Sequence, residues 1–473
     1  MGRARTAWSP AFAAGLLAAC SAERVEGADQ VLRTAWERAE IDATPAASAE
    51  IERASAAGSW SLDAILDEIA SANPTLGVAE ARLEEARAVR REVHALSFPE
   101  LSLGLEYTAS DNPAQAFAML LNQEELTLGP AFDPTPGTIE NWRKELRVDW
   151  PLFAPGRGEA RRSAEAGEEA ARLTLEAAAR RLQNAGVQAW IGLRARRGLA
   201  LVARGSIAVV EQRLEVTRRR HAEGAALRAD VLRLEVRLAA ARQEAARAEL
   251  GVREAESGLN VLMGRSPEAA LDLVEEEVPI GAGLPEELSE LFALAEAERL
   301  DLQAGAHRVR AFAFQGEARR AERLPLLGLF ASYDIDGAEP AIESEFDSTT
   351  VGVGLHWPLT VRTGARIERA AAEERIAREE LGEQALAVAR EVRDAREALG
   401  SARETLALAE AATGAAEEAY RLLAAAQDAG AATVTDVLEA EDARRRADVQ
   451  VVSARAGLEL ARARLVAATG GVR

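Results

Sequence analysis

Apolar and polar residues trade places at two different periods along this chain. Leu101, Leu103, Leu105 and Tyr107 alternate with Ser102, Gly104, Glu106 and Thr108. That period of two predicts a half-buried strand. The same alternation sets Leu146, Val148, Trp150 and Leu152 against Arg147, Asp149 and Pro151, and Val351, Val353, Leu355 and Trp357 against Gly352, Gly354 and His356. Leu327, Leu329 and Tyr333 fit a fourth strand less cleanly, because Leu326 and Phe330 are apolar on its opposite face. Strands are thus expected near 99–108, 144–153, 325–334 and 350–359.

Elsewhere the period is helical. From Arg157 to about His221 there is no proline, and Ala, Leu and Val recur at helical spacing; a second such run spans about Ala365–Gln427. Each would be roughly 95–100 Å long at the α-helical rise. Shorter helices are expected near Leu227–Met263 and Thr433–Thr469, each about 55 Å by the same rise. Asn73-Pro74 reads as a helix cap with proline in the first turn, opening a helix of about 35 Å to Leu96. A short helix of each kind, stacked end to end, matches a long one. The expected assembly is a long cylinder whose wall mixes continuous and stacked helices.

The plan is written twice. Pro99, Leu101, Leu103 and Tyr107 recur as Pro325, Leu327, Leu329 and Tyr333, 226 positions later. Trp150-Pro151-Leu152 recurs 207 later as Trp357-Pro358-Leu359. Gly224, Asp230-Val231-Leu232 and Glu235 recur 206 later as Gly430, Asp436-Val437-Leu438 and Glu441. The fall in offset places an insertion within Thr108–Asn141 of the first copy, whose Pro, Asn and Gly content reads as a loop. Two copies indicate duplication rather than a solenoid. The repeats are read as 59–263 and 286–470, joined by a Gly- and Pro-bearing linker, 264–285, with room for a short strand; 21–58 is a polar leader. Gly224 and Gly430 stand where long helix turns into short helix, a position that favours the left-handed conformation.

Composition narrows the function. Ala, Glu, Arg and Leu dominate, aromatics make up only 4%, and Lys144 is the sole lysine; such a bias favours long, coiled helices. A formal charge of −20 argues against nucleic-acid binding, which needs a basic face. The single cysteine, Cys20, cannot form an internal disulfide. It follows Arg3, Arg5 and an apolar stretch from Ala11 to Ala19, a signal-like start. Leu17-Ala18-Ala19-Cys20 resembles a bacterial lipobox, so Cys20 is expected to carry a covalent lipid. Plain cleavage at the Ala-rich site is the alternative. Ser21 in the next position resembles outer-membrane sorting. No later stretch approaches the ~18 apolar residues of a membrane helix. Any membrane crossing must therefore use strands.

The strands have one apolar and one polar face, the latter bearing Glu106, Arg147, Asp149 and His356. A soluble sheet with one wet side would look similar. A membrane barrel would put lipid outside and water inside, with these four residues in the lumen. It must close, because an edge strand in lipid leaves amides unpaired. Four strands cannot close alone. Two chains would give eight strands, filled by their own side chains, and three would give twelve, enough for an aqueous lumen.

The doubled plan, Trp150-Pro151-Leu152-Phe153 and the glycine turns leading to Asp230 and Asp436 resemble the TolC outer-membrane efflux family over about residues 60–470. The resemblance implies a mainly α fold with a membrane β-barrel: a homotrimer with a twelve-stranded barrel on a twelve-helix periplasmic tunnel. It implies a lipoprotein of the outer membrane that takes small molecules (drugs, toxic compounds or metal ions) from a periplasmic adaptor and an inner-membrane transporter. A duct for type I protein secretion is the alternative. The tips at Gly224 and Gly430 would dock the adaptor. Asp436 and Glu439 would form an acidic ring at the periplasmic mouth, with Asp230 the first-copy equivalent. The bland reading of Asp436 is local, since Thr433 and Asp436 have capping-box-like spacing. Asp230 and Arg233 can pair with each other.

Where relatives carry a tyrosine–arginine mouth lock, this chain has Gln427 and Ala432, and Glu223 and Ala429 replace the valines often found before the turn glycines. Catalysis finds no support. His94, His221, His307 and His356 are scattered without metal-ligand spacing. Gly352-Val353-Gly354 lies within a strand and lacks the helix a phosphate loop requires. Met119 and Met263 are too few for a soft-metal relay. No cofactor other than the Cys20 lipid is expected. A soluble coiled-coil scaffold is the rival class; it would leave the signal segment and alternating strands unexplained.

Overall fold

The computed structural model describes residues 59–126, 137–274, 276, 278–339, 347–429 and 431–472. Cys20, its signal-like surroundings, the polar leader and Gly430 lie outside the described residues. The elements in order are α1 (Leu62–Ala72), α2 (Pro74–Ala95), β1 (Glu100–Ser110), α3 (Pro113–Asn122), β2 (Ile139–Phe153), α4 (Arg157–Ala222) and α5 (Arg228–Leu262). Then come α6 (Leu288–Glu298), α7 (Leu300–Ala321), β3 (Leu326–Gly337), β4 (Asp347–His356), α8 (Val361–Asp428) and α9 (Val434–Ala468). Contacts divide the chain across the repeats rather than between them. One unit is Met1–Gly77, Ala177–Arg299 and Val388–Arg473, and the other is Val78–Glu176 and Leu300–Ala387.

The first unit is helical. In α1, Leu62, Ile65, Leu66 and Ile69 recur at helical spacing and are all buried. They pack with Val187, Trp190, Ile191, Leu259 and Met263, each buried side chain of this size contributing about 1.5–3 kcal/mol. The linker joins this core through Leu271, Leu273 and Ile280. Instead of a short strand it provides one parallel bridge, Trp60 to Leu273. In α9 the buried alanines Ala440, Ala447, Ala454, Ala461 and Ala468 fall every seventh residue. A seven-residue apolar repeat is the signature of helices that coil around one another.

Duplication persists at the level of single bonds. Gly264 (φ +67°) and Gly470 (φ +96°) end α5 and α9 in the left-handed conformation. A Cβ on Gly264 would stand 2.5 Å from the Ala72 carbonyl oxygen, and one on Gly470 2.8 Å from that of Glu298. Ala72 and Glu298 are equivalent C-termini, of α1 and α6. The sequence reading missed both helices, because each is only 11 residues long and abuts a stronger helical pattern.

The second unit holds one antiparallel sheet in the order β1-β2-β3-β4. β1 and β4 are its edges, and both hairpin connections lie at one end of the sheet. Trp150 Nε1 donates to the Ser97 carbonyl at 3.4 Å, and Trp357 Nε1 to the equivalent Arg323 carbonyl at 2.9 Å. The Thr108–Asn141 segment differs from the expected loop. β1 runs on to Ser110, β2 starts at Ile139, and α3 stands between them. Asn112 caps α3 by accepting from Ala114 N, with proline in the first turn, a local start signal that the loop-like composition hid. β4 ends at His356, short of the expected 359, because Pro358 has no N–H to continue the ladder.

Candidate functional site: a two-faced sheet and a helix-turn tip

The pairing register sorts the strand residues by face. Leu101, Leu103, Leu105 and Tyr107 lie opposite Val148, Leu146, Lys144 and Trp142. Leu146, Val148 and Trp150 lie opposite Tyr333, Ala331 and Leu329; Leu329 and Ala331 lie opposite Val353 and Val351. Directly opposed residues share a face, so these form one apolar face across all four strands. It is largely uncovered: Leu103 is 83% exposed and Leu355 68%. An apolar surface this continuous marks a membrane or partner contact. A register irregularity between Pro151 and Phe153 sets Phe153, rather than Leu152, opposite Leu327.

Aromatic rings bound this face. Tyr107 and Trp142 pack 4.8 Å apart near the hairpin end, while Trp150 and Phe153 lie toward the helix end. Trp142 to Phe153 covers about 36 Å at the strand rise. Tilted by ~40° that is roughly 28 Å, close to the ~25 Å apolar band of outer-membrane barrels. Charges on this face gather at its hairpin end: Glu140 lies opposite Ala109, Asp347 lies opposite Ile335, and Lys144 reaches the Glu339 carbonyl at 3.4 Å. That carries its ammonium off the apolar band, as long basic side chains do at interfaces.

The opposite face is polar. The register places the four sequence-predicted residues Glu106, Arg147, Asp149 and His356 on it together, with Asn141, Arg143, Glu145, Asp334 and Asp336. Arg147 donates to Asp149 at 2.6 and 3.0 Å and its guanidinium lies 5.4 Å from the centre of the Phe330 ring. Arg143 stands 3.3 Å from Asp336. Extending the β2 alternation toward its start would have found Arg143 and Glu145. Phe330 occupies this face by filling the space over Gly352, where a Cβ would fall 2.4 Å from the ring.

The second candidate lies in the other unit, at the two helix turns. Gly224 adopts φ +76° and Ala225 N donates to the Arg220 carbonyl at 2.7 Å, a Schellman closure. Gly430 lies outside the described residues, but the equivalent bond, Ala431 N to Ala426 O at 2.8 Å, is present. The turns then diverge. Leu227 gives α5 no side-chain cap, and Asp230 lies 3.6 Å from Arg233. In the second copy Thr433 and Asp436 form a full capping box. The Thr433 hydroxyl and backbone N–H both donate to Asp436 and hold its carboxyl below the usual range. Glu439 is exposed one turn on.

Above these turns lies a charge cluster around one buried carboxylate, which sequence reasoning missed. Arg237 pairs with Glu441 at 3.3 Å and with Asp442, and Arg445 pairs with Glu244 at 2.9 Å. Glu441 is 1% exposed. Gln427, in place of the absent lock tyrosine, accepts from Arg213 at 3.0 Å, and Arg213 also donates to the Tyr420 hydroxyl at 2.9 Å. The duplicated Glu235 and Glu441 were visible in the sequence, but their different burial was not. Among the described residues no group of three or more His, Cys, Asp or Glu could hold a metal ion, and no helix is long and apolar enough to cross a membrane.

A four-stranded sheet with one exposed apolar face and one charged face, in a chain otherwise built of long helices, defines a class of helical protein with a membrane-type sheet. The chain belongs to the outer membrane efflux protein family, whose model matches residues 65–265 and 291–471. The family places it in the outer membrane as an efflux channel, not an enzyme. The fold is shared with solved channels of low identity. VceC of Vibrio cholerae is 19% identical with a TM-score of 0.72, over 87% of this chain and 96% of that one. CmeC of Campylobacter jejuni is 14% identical with a TM-score of 0.73, over 87% and 85%. MtrE of Neisseria gonorrhoeae is 18% identical with a TM-score of 0.69, over 87% and 89%. The sequence matches no curated protein at significance.

Proposed function

We propose that three copies of this chain close a twelve-stranded barrel through the outer membrane and conduct small molecules outward. The observation that carries this reading is the sheet, with its continuous exposed apolar face, charged opposite face and two strand edges. In lipid the edges must be paired, and pairing β1 of one copy with β4 of the next keeps the antiparallel order. Twelve strands leave a water-filled lumen, lined by Glu106, Arg147, Asp149 and His356. The helix-bearing end of the sheet then faces the periplasm and the hairpin connections face outward, as long connections do in outer-membrane barrels. Cargo would arrive through a periplasmic adaptor from an inner-membrane transporter, with the turns at Gly224 and Gly430 as docking tips. Purified full-length protein should give discrete ion-conducting steps in planar bilayers. Protein that inserts without conducting would refute the duct.

Two finer assignments belong to this reading. Cys20 carries a lipid that anchors the mature start, so Cys20→Ala should abolish labelling by a clickable fatty acid; unchanged labelling contradicts the anchor. Asp436 and Glu439 from three copies ring the periplasmic mouth and favour cations. Asp436 can cap its helix and still present charge, since its carboxyl is held ionised. Asp436→Asn with Glu439→Gln should lower cation preference in bilayer recordings. Unchanged selectivity in a normally assembled variant would leave the pair as capping residues.

A further inference from the structure

The Thr108–Asn141 insertion has no counterpart in the second copy, and its helix is fastened to one face of the sheet. Ala116, Met119, Leu120 and Gln123 recur at helical spacing, and these are the positions in and next to α3 that lose solvent exposure. Gln123, just past the C-terminus of α3, is 4% exposed. Its amide donates to the Asn141 side chain and to the Glu140 carbonyl, each at 2.8 Å. Asn141 in turn donates to Asp336 at 2.5 Å. Asn141 and Asp336 belong to the polar face, at its hairpin end. The helix is therefore pinned over the charged face, not the apolar one. A buried, fully bonded amide chain of this kind fixes position, because leaving any member unpaired costs about 1–3 kcal/mol.

The side of α3 turned from the sheet carries Ala114, Ala118 and Leu121, with Phe117 at its margin. Leu121 is 55% exposed and Phe117 38%, and α3 contains no charged residue. We infer that α3 is an apolar collar inside the outer mouth of the barrel, and that Leu121 and Phe117 set which molecules pass. The inference rests on the three-copy barrel proposed above, in which the polar face looks inward. Three collars would converge on the axis above a lumen lined by Glu106, Arg143, Arg147 and Asp149. A ring of apolar side chains sheds water and resists hydrated ions, while admitting solutes that present apolar surface. The collar would thus select for amphipathic cargo where the charged wall alone would not.

Full-length protein in planar bilayers separates the possibilities. Leu121→Asp changes an exposed position and leaves the fastening intact. A wetted collar should raise single-channel conductance by about twofold or more, although the pore becomes no wider. Phe117→Ala with Leu121→Ala should raise it as well, and should admit larger neutral polymers from the hairpin side. Conductance and polymer cut-off unchanged or lowered in both variants, with the unsubstituted channel conducting normally, would overturn the collar and leave the barrel standing. Absence of current from the unsubstituted protein would instead remove the barrel reading, and the collar with it.

Discussion

The two copies of the repeat agree where backbones touch and disagree where side chains face open space. Trp150 and Trp357 bond equivalent carbonyls, and Gly264 and Gly470 sit against equivalent helix ends. The glycine contacts tolerate no added atom, so both copies keep them. Among the described residues, only the first copy has a helix at its strand connection, and at the helix turn only the second has a capping box. The lesson is that the scaffold is symmetric in its joints and specialised at its free ends. Substitutions at equivalent positions test that contrast.

The largest effect is expected at the joints. Gly264→Val and Gly470→Val each force a side chain into a carbonyl at a positive φ, and should cost about 4 kcal/mol or more. Thermal unfolding of the two variants should show similar losses. Gly283→Val, at φ +85° but with open space around it, should lose only the backbone strain of about 1–2 kcal/mol. A mild effect at either joint would break the symmetry.

Next comes the Glu235 and Glu441 pair, equivalent in sequence and opposite in environment. Glu441→Ala removes a buried partner of Arg237, which keeps Asp442, and should destabilise by about 1.5–3 kcal/mol. Glu235→Ala removes an exposed partner of Arg218 and should cost about 0–1 kcal/mol. Equal losses on denaturant titration would contradict the difference in burial. At the turns, Thr433→Ala should cost about 1 kcal/mol. Leu227→Ser, which supplies the missing first-copy cap, should gain up to about the same amount.

The smallest expected effect is on pH dependence. The Asp436 carboxyl is held below its ordinary value by the Thr433 hydroxyl and backbone N–H. A lowered folded pKa means that this stabilisation is complete above the ordinary carboxylate range, near pH ~4, and is lost as pH falls through the folded value. Acidification below pH ~4 should loosen the start of α9. Hydrogen exchange at Val437 should report it, and Thr433→Ala should flatten the response. An identical pH profile in that variant would deny the hydroxyl its role.

Much of this was legible in the sequence, for identifiable reasons. Strand alternation at Leu101–Tyr107 and Val351–Leu355 survives because one face is apolar throughout, and the long helices show because nothing interrupts their period. The polar-face set of Glu106, Arg147, Asp149 and His356 followed from parity alone, since opposed strands preserve it. What stayed hidden depends on tertiary contact. Helices α1 and α6 are short, and the apolar stripe of α1 acquires meaning only against Trp190 and its neighbours. The α3 segment carries loop-like composition, and only the bonds from Gln123 to Asn141 and on to Asp336 show which face it covers. Burial distinguishes Glu441 from Glu235, and no local pattern encodes it.

In the proposed channel the four-stranded sheet is one third of a closed barrel wall. Native mass spectrometry of the full-length protein, extracted from outer membranes in mild detergent, tests it most directly. A single dominant assembly of three chains is expected, stable to dilution because every strand edge is paired. A monomer or dimer as the dominant species in conducting preparations would contradict it.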